Sequence, residues 1–386
     1  MNRIINAALP LILLVALLAF FLSQGPVGVL KGFFPPVEKV FIDRVTLEPN
    51  IIILDVINDG PDETTIAQVL VNNVYYKFEM EPSQTLKPFQ TAKITINYPW
   101  IRGNTERVTL LTSSGITFEK EIAVAVETPK VNEQYITTFA LLGVYVGLIP
   151  VFLGLLWLPF LRTISAKWHN FLLSLTIGLL VFLGLEAFSE AIELIGKVPS
   201  VFNGSGLLIA GFFISLFVLI AISERSQRTN RANKAITLSY LIALGIGLHN
   251  LGEGLAIGSA YAIGELSLGT LLVVGFMIHN VTEGLAIVAP VARLFTNWKT
   301  YIKHLILLGL LAGGPTIIGA WIGGFAYSAT LALLFLAIGI GAIFQVVYEL
   351  IKYISKDSLD SLFNATNSAG FIIGILILYA TGLVVV

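Results

Sequence analysis

The chain contains no cysteine. That excludes disulfides and thiolate metal ligands, so any metal site must use nitrogen and oxygen donors. Charge is also scarce: Asp, Glu, Lys and Arg make up 12% of the 386 residues, against about 25% in ordinary soluble domains. The signs nearly cancel, at a net charge of −1, and without a basic excess nothing points to a nucleic-acid partner. Apolar residues take the place of charge. They form 56% of the chain, with a mean hydropathy of +0.85, the composition of an integral protein of a lipid bilayer.

The apolar residues are unevenly distributed. A first run spans about 4–22, after Arg3. Within a predicted segment of 1–24 it reads as a retained signal-anchor or a cleaved signal peptide. Its length, and the lack of a clean A-x-A site in "FLSQGPVG", favour the anchor. Residues 31–130 are polar and turn-rich, with alternating runs such as "KVFIDRVTL", "IIILDVI", "AKITINY" and "ERVTLL" broken by "NDGPDE", "VNN" and "RGNTE". Period-2 runs between turn residues predict a small antiparallel β-sandwich of about seven strands. The stretch "VINDGPDET" resembles the strand and turn of immunoglobulin-like modules.

Residues 133–386 are almost continuously apolar. Eight stretches of spanning length are expected at about 137–160, 170–195, 205–222, 236–262, 267–292, 304–325, 330–354 and 367–386. The fold expected is an α-helical membrane protein, an eight-helix bundle behind an extracytoplasmic sandwich. Lys and Arg follow the odd stretches: Arg162 and Lys167; Arg225, Arg228, Arg231 and Lys234; Arg293, Lys299 and Lys303; Lys352 and Lys356. In the alternate loops Lys197 is the exception. Positive residues mark cytoplasmic loops. The basic loops are thus expected inside, with the sandwich and the C-terminus outside, in a multi-pass cell-membrane protein. Asn203-Gly-Ser, a glycosylation-type triplet, falls on an outside loop.

Two ten-residue stretches are nearly the same: "HNLGEGLAIG" at 249–258 and "HNVTEGLAIV" at 279–288. An ionisable residue inside a bilayer costs on the order of 3 kcal/mol, so three polar residues in each of two buried helices need a reason. On a helix His249, Asn250 and Glu253 fit one face, as do His279, Asn280 and Glu283. Facing helices would bring imidazoles, carboxylates and amide oxygens to one point, a donor set suited to Zn²⁺, Fe²⁺ or Mn²⁺. A single His or Asn in such a helix is commonly an interhelical hydrogen bonder; repetition of the whole pattern favours a metal. Elsewhere, "FLGLEAFSEAIE" brings Glu186, Glu190 and Glu193, and "QVVYELIKY" brings Gln345 and Glu349. An ion pair of Glu349 with Lys352 or Lys356 is the plainer reading there.

These motifs resemble those of the ZIP family of divalent-metal transporters, closest to its bacterial members. The resemblance covers about 135–386 and implies an eight-helix bundle around a mid-membrane metal path. It implies transport of Zn²⁺, Fe²⁺, Mn²⁺ or Cd²⁺ into the cytoplasm, with the ion as substrate and no catalysis. By position it implies His249, Asn250 and Glu253 as ligands from the fourth helix, and Asn280 and Glu283 from the fifth with His279 beside them. Glu186 matches a ligand position in the second helix and Glu349 a carboxylate of the seventh. Three features depart from the family: Gly252 and Thr282 stand where prolines are common, the loop "SERSQRTNRANK" lacks histidines, and Gly314 replaces a Glu often found before Pro315. The last makes one tightly held metal near His249, Glu186 and Glu283 the expectation, with a second ion near Asn250, Glu253 and Asn280 weak. Two other readings compete. An intramembrane metal-dependent hydrolase needs three ligands, a water position and a general base, but no H-E-x-x-H occurs. An anchored adhesion protein leaves the polar helix faces unexplained. The sandwich reads as an aid to homodimerisation or a guard over the outer entrance.

Overall fold

The structure is a computed structural model that describes residues 2–24, 36–226, 231–292, 294, 298–355 and 363–385. Of the positions named above, 31–35, Arg228, Arg293, Lys356 and Val386 lie outside the described residues. The first apolar run is one helix, α1 (Asn2–Gln24).

Nine strands follow where about seven were expected: β1 (Val40–Glu48), β2 (Ile51–Asn58), β3 (Thr64–Val71), β4 (Val74–Tyr76), β5 (Phe78–Glu81), β6 (Thr85–Leu86), β7 (Thr91–Asn97), β8 (Glu106–Thr112) and β9 (Thr117–Ile122). The extra strands include β4, β5 and β6, of two to four residues each, too short to show a period. One sheet runs β1-β2-β7-β5 and the other β4-β3-β8-β9, with β6 also on β3. All pairings are antiparallel. Alternate residues close the core between the sheets: Ile52, Leu54 and Val56 from β2, Ile94 and Ile96 from β7, Val108 and Leu110 from β8. On β3 the alternation breaks from Ile66 to Val69, because the register shifts between Ile66 and Gln68. A bulge puts one extra residue into a strand and turns the side chains beyond it.

Among the described residues, eight stretches are long and apolar enough to cross a membrane: Glu133–Leu161, Ala166–Ile195, Ser200–Arg225, Lys234–Ala262, Gly269–Val291, Tyr301–Ala326, Ala329–Ile354 and Ala365–Leu383. They correspond in order to the eight expected. Large apolar side chains such as Leu153, Phe160, Phe213, Ile214 and Phe217 face outward. The first stretch is built from α2 (Glu133–Gly143), a π turn (Val144–Leu148), α3 (Ile149–Leu155) and α4 (Leu158–Leu161). Next come α5 (Ala166–Ile195), α6 (Gly204–Ser226), α7 (Arg231–Ala262) and α8 (Leu266–Val288). The sixth stretch is broken into α9 (Trp298–Gly313) and α10 (Pro315–Ala326). α11 (Ala329–Ile354) and α12 (Ala365–Val385) complete the set. Asn203 of the glycosylation-type triplet bonds the Gly206 amide through its side chain, so it caps the start of α6.

Glycines set the closest helix pairs. A Cβ on Gly254 would lie 2.1 Å from the Thr316 carbonyl oxygen, and one on Gly319 2.1 Å from that of Leu251, so α7 and α10 touch backbone to backbone. Between α3 and α8, a Cβ on Gly154 would lie 2.1 Å from the Val281 carbonyl oxygen, and one on Gly284 2.2 Å from that of Val151. Small residues permit such approach where helices pack in an apolar medium. The helix of each twin motif is thereby sutured to a different neighbour.

The sandwich docks on one end of the bundle through the "NDGPDE" turn. Asn58 organises this turn by donating to the Asp62 and Leu86 carbonyls at 2.7 and 2.9 Å. The side chain of Asp59, 0% exposed, accepts from the Ser200 amide (2.9 Å), the Ser200 hydroxyl (2.5 Å), the Val201 amide (2.8 Å) and Lys39 Nζ (2.8 Å). Burial alone pushes the Asp59 pKa up; bonds from Lys39, Ser200 and Val201 outweigh it and hold the carboxyl below its ordinary value. A bulge at Ile42–Arg44 turns Arg44 so that its guanidinium donates to the Phe325 carbonyl at 2.7 Å. Val126 packs against Gly264, between α7 and α8.

Candidate metal centre

The first motif lies on α7 and the second on α8, and all six polar residues are buried, between 0 and 8% exposed. The four-residue spacing brings His249 Nε2 within 3.2 Å of Glu253 Oε1, an ion-pair distance outside hydrogen-bond alignment. From α8, His279 Nε2 hydrogen-bonds the same Oε1, and Asn280 Nδ2 donates to Oε2 at 3.1 Å. Glu253 is therefore the hub of the cluster. The two imidazole centroids are 6.5 Å apart, and the Phe276 ring lies 5.4 Å from that of His279.

Glu283 is differently placed. Neither oxygen has a hydrogen-bond partner among the described residues. The residue borders a void of about 10 Å³ shared with Leu179, Leu180, Leu183, Thr282, Ala286 and Leu378, room for about one water-sized sphere. His249, His279 and Glu283 each offer a donor atom within 4.8 Å of the others. Two metal–ligand bonds of about 2.0–2.2 Å span up to about 4.4 Å, so a small inward movement lets one ion bind all three.

The unpartnered atoms of the two motifs have a common character. They include both ring nitrogens of His249, Oδ1 of Asn250, Oδ1 of Asn280 and both oxygens of Glu283. Each amide nitrogen is already committed, Asn250 Nδ2 to the Ala312 carbonyl at 3.2 Å and Asn280 Nδ2 to the Val146 carbonyl at 2.9 Å and to Glu253 Oε2. What remains is mostly lone pairs in a buried space, and a buried polar group without a partner costs about 1–3 kcal/mol. A cation satisfies lone pairs; another acceptor does not.

The other expected ligands lie apart from this group. Glu186 on α5 is exposed and does not join the three donors, although its charge acts on His279. Glu190 on the same helix is also exposed. Glu349 is buried and accepts from the Ser223 hydroxyl at 2.7 Å. Lys352 Nζ lies over the Tyr348 ring, 5.6 Å from its centroid. Sequence reading missed the two backbone carbonyls of Val146 and Ala312. Pro315 was a visible sign of the break near Ala312, and Pro150, four residues after Val146 and unable to offer its carbonyl an N–H, of the π turn. The remaining histidines are held by other groups: His169 by the Ala289 carbonyl at 2.8 Å and His304 by the Tyr240 hydroxyl at 2.9 Å.

Against known proteins, the chain matches no family model and no curated protein. Among solved structures it is similar to the archaellum periplasmic stator protein FlaG from Sulfolobus acidocaldarius. The match has 17% identity and a TM-score of 0.20, over 22% of this chain and 99% of that one. That likeness carries no functional argument.

Proposed function

We propose that the chain is a multi-pass cell-membrane transporter that carries a divalent cation, Zn²⁺, Fe²⁺, Mn²⁺ or a similar ion, into the cytoplasm, as the resemblance of its twin motifs to the ZIP family implies. The observation that carries this reading is the buried cluster of unpartnered atoms, mostly lone pairs, on four groups drawn from two copies of one motif. Imidazole and carboxylate, helped by amide oxygens, offer an arriving ion replacements for its hydration water in a space that excludes water. Glu253 holds His279 and Asn280 in place, while Glu283 offers a carboxylate to the ion.

The sidedness is supported by two features. Lys and Arg cluster in one set of loops, and the sandwich docks on the other set, at Ser200, Val201 and Gly264 and beside the 326–328 loop at Phe325. The docking puts the sandwich at the end away from the basic loops, which supports an outer position for it if those loops are cytoplasmic.

The test is uptake by proteoliposomes holding the full chain, with Zn²⁺, Fe²⁺, Mn²⁺, Co²⁺ and Cd²⁺ in competition. Saturable uptake of at least one ion is expected. Absence of uptake of every ion, with turnover of lipid or peptide instead, would replace transport by hydrolysis.

A further inference from the structure

The two motif asparagines are held in the same manner by unlike partners. Asn280 Nδ2 donates to the Val146 carbonyl and Asn250 Nδ2 to the Ala312 carbonyl. A carbonyl oxygen only accepts, so each partner dictates which end of the amide faces it. The NH₂ end turns to the backbone in both, and in Asn280 to Glu253 Oε2 as well, another acceptor. Oδ1 is left on the other side, buried and without a donor in both residues.

Both carbonyls lie where a helix is irregular. In a regular α-helix each carbonyl serves the N–H four residues on. Val146 sits inside the π turn Val144–Leu148, where the ladder is widened. Ala312 sits at the end of α9, just before Gly314 and Pro315. The last carbonyls of a helix lack intrahelical partners; Pro315 withholds an N–H from Leu311, four residues back, and so breaks the ladder before it reaches Ala312 and Thr316. These irregular turns belong to the same segments that the motif helices are sutured to: α7 to the broken α9–α10 segment, and α8 to the first segment beside its π turn. Suture and tether together fix each asparagine.

We propose that the π turn at 144–148 and the break at Gly314-Pro315 are orienting devices, each presenting a backbone carbonyl that fixes one motif asparagine with Oδ1 as a neutral oxygen ligand. The inference rests on the divalent-metal reading of the site. Asn250 and Asn280 act as ligands in it. Pro315 acts through Asn250 and is a positioning residue.

Purified full chain in detergent, titrated with Co²⁺ and followed by the visible bands of the bound ion, provides the test. Pro315→Ala supplies an N–H to Leu311 and lets the ladder run on, so that the Thr316 N–H competes with Asn250 for the Ala312 carbonyl. Its Co²⁺ affinity is expected to fall roughly 10–100-fold, the usual effect of losing a partner that orients a ligand, with shifted bands. In an Asn250→Ala background the same change should cost less than about twofold, the width of ordinary additivity. A purely structural role would produce equal losses in both backgrounds and would overturn the proposal, as would unchanged affinity in a folded Pro315→Ala chain. Asn250→Asp covers the case in which Pro315→Ala does not fold, since it keeps the shape and an oxygen but removes the donor. Weaker Co²⁺ binding than wild type is expected; equal or tighter binding overturns the orienting role. If the wild-type chain binds no Co²⁺, the metal reading itself falls; if it binds and the losses are additive, only the orienting role does.

Discussion

Replacing Glu283 by Met separates a carboxylate kept for a cation from one that merely neutralises its neighbours. Both Glu283 oxygens are buried without partners, beside a void walled by Leu179, Leu180, Leu183 and Leu378. A buried polar group left unpaired costs about 1–3 kcal/mol. Met has a similar volume, and its flexible thioether suits apolar walls. Without metal, Glu283→Met is therefore expected to be more stable than wild type by about 1–3 kcal/mol. With metal the order reverses. A ligand at 100 times its Kd stabilises the native state by about 2.7 kcal/mol, and the variant has lost one of the three donors that could hold it. The assay is thermal unfolding of the purified chain in detergent, once with chelator and once with excess Zn²⁺. The expected result is a crossing: the variant melts higher in chelator and gains little from Zn²⁺, while wild type melts lower and gains several degrees. A variant that melts lower in chelator yet keeps the full Zn²⁺ shift would refute the reasoning. It would mean that Glu283 serves to balance imidazolium charge on His249 and His279.

His249→Ala should abolish most metal uptake in proteoliposomes while the protein still folds, and near-normal uptake would remove His249 from the ligand set. Cysteines introduced singly at Ser226 and Ser83 should label oppositely with an impermeant reagent on intact cells; the native chain has no competing thiol, and equal labelling would contradict the orientation. The Asp59 pKa is lowered in the docked sandwich, so its contribution is fully present above the ordinary carboxylate value of about 4 and is lost as pH falls through the lower folded value. Proteolysis at the sandwich–bundle junction should accordingly rise below about pH 4, and Asp59→Ala should show the same sensitivity at neutral pH; a flat profile in wild type would show that the docking does not depend on this carboxylate. Gly254→Val should destabilise the bundle by about 1–3 kcal/mol, because its Cβ would lie 2.1 Å from the Thr316 carbonyl oxygen; unchanged thermal stability would argue against the close α7–α10 approach.

Periodicity and composition made the architecture legible before any coordinates. The eight spans and the two-sheet domain announce themselves because each is a repeated response to one condition, an apolar surround for the helices and a half-buried face for the strands. What escaped is whatever has no repeat. β6 is two residues long, and the β3 bulge interrupts the very alternation by which a strand is read. Asp59, in an ordinary turn sequence, is the anchor of the sandwich only because Ser200 and Val201, 141 and 142 residues away, offer it amides and a hydroxyl.

The candidate site illustrates the same limit more sharply. Seven shared identities put the same three polar residues on both helices, yet the two carboxylates meet unlike surroundings. Glu253 faces His249 and bonds His279 and Asn280, whereas Glu283 has no hydrogen-bond partner among the described residues. Sequence fixes which donors each helix carries, but the neighbours decide which remain available. Here Val146 and Ala312 take up the amide nitrogens, leaving lone pairs as the cluster's open valences. A second dication close to the first would need further negative charge, since repulsion between them is weakly screened in a dry interior. Glu253 is already engaged, and Gly314 supplies no carboxylate; a Cβ there would lie 2.4 Å from the Leu310 carbonyl oxygen, so a Glu would enter only if the end of α9 moved. On the proposed divalent-metal reading, the electrostatics and the packing at Gly314 thus both favour a single tightly held ion beside His249, His279 and Glu283.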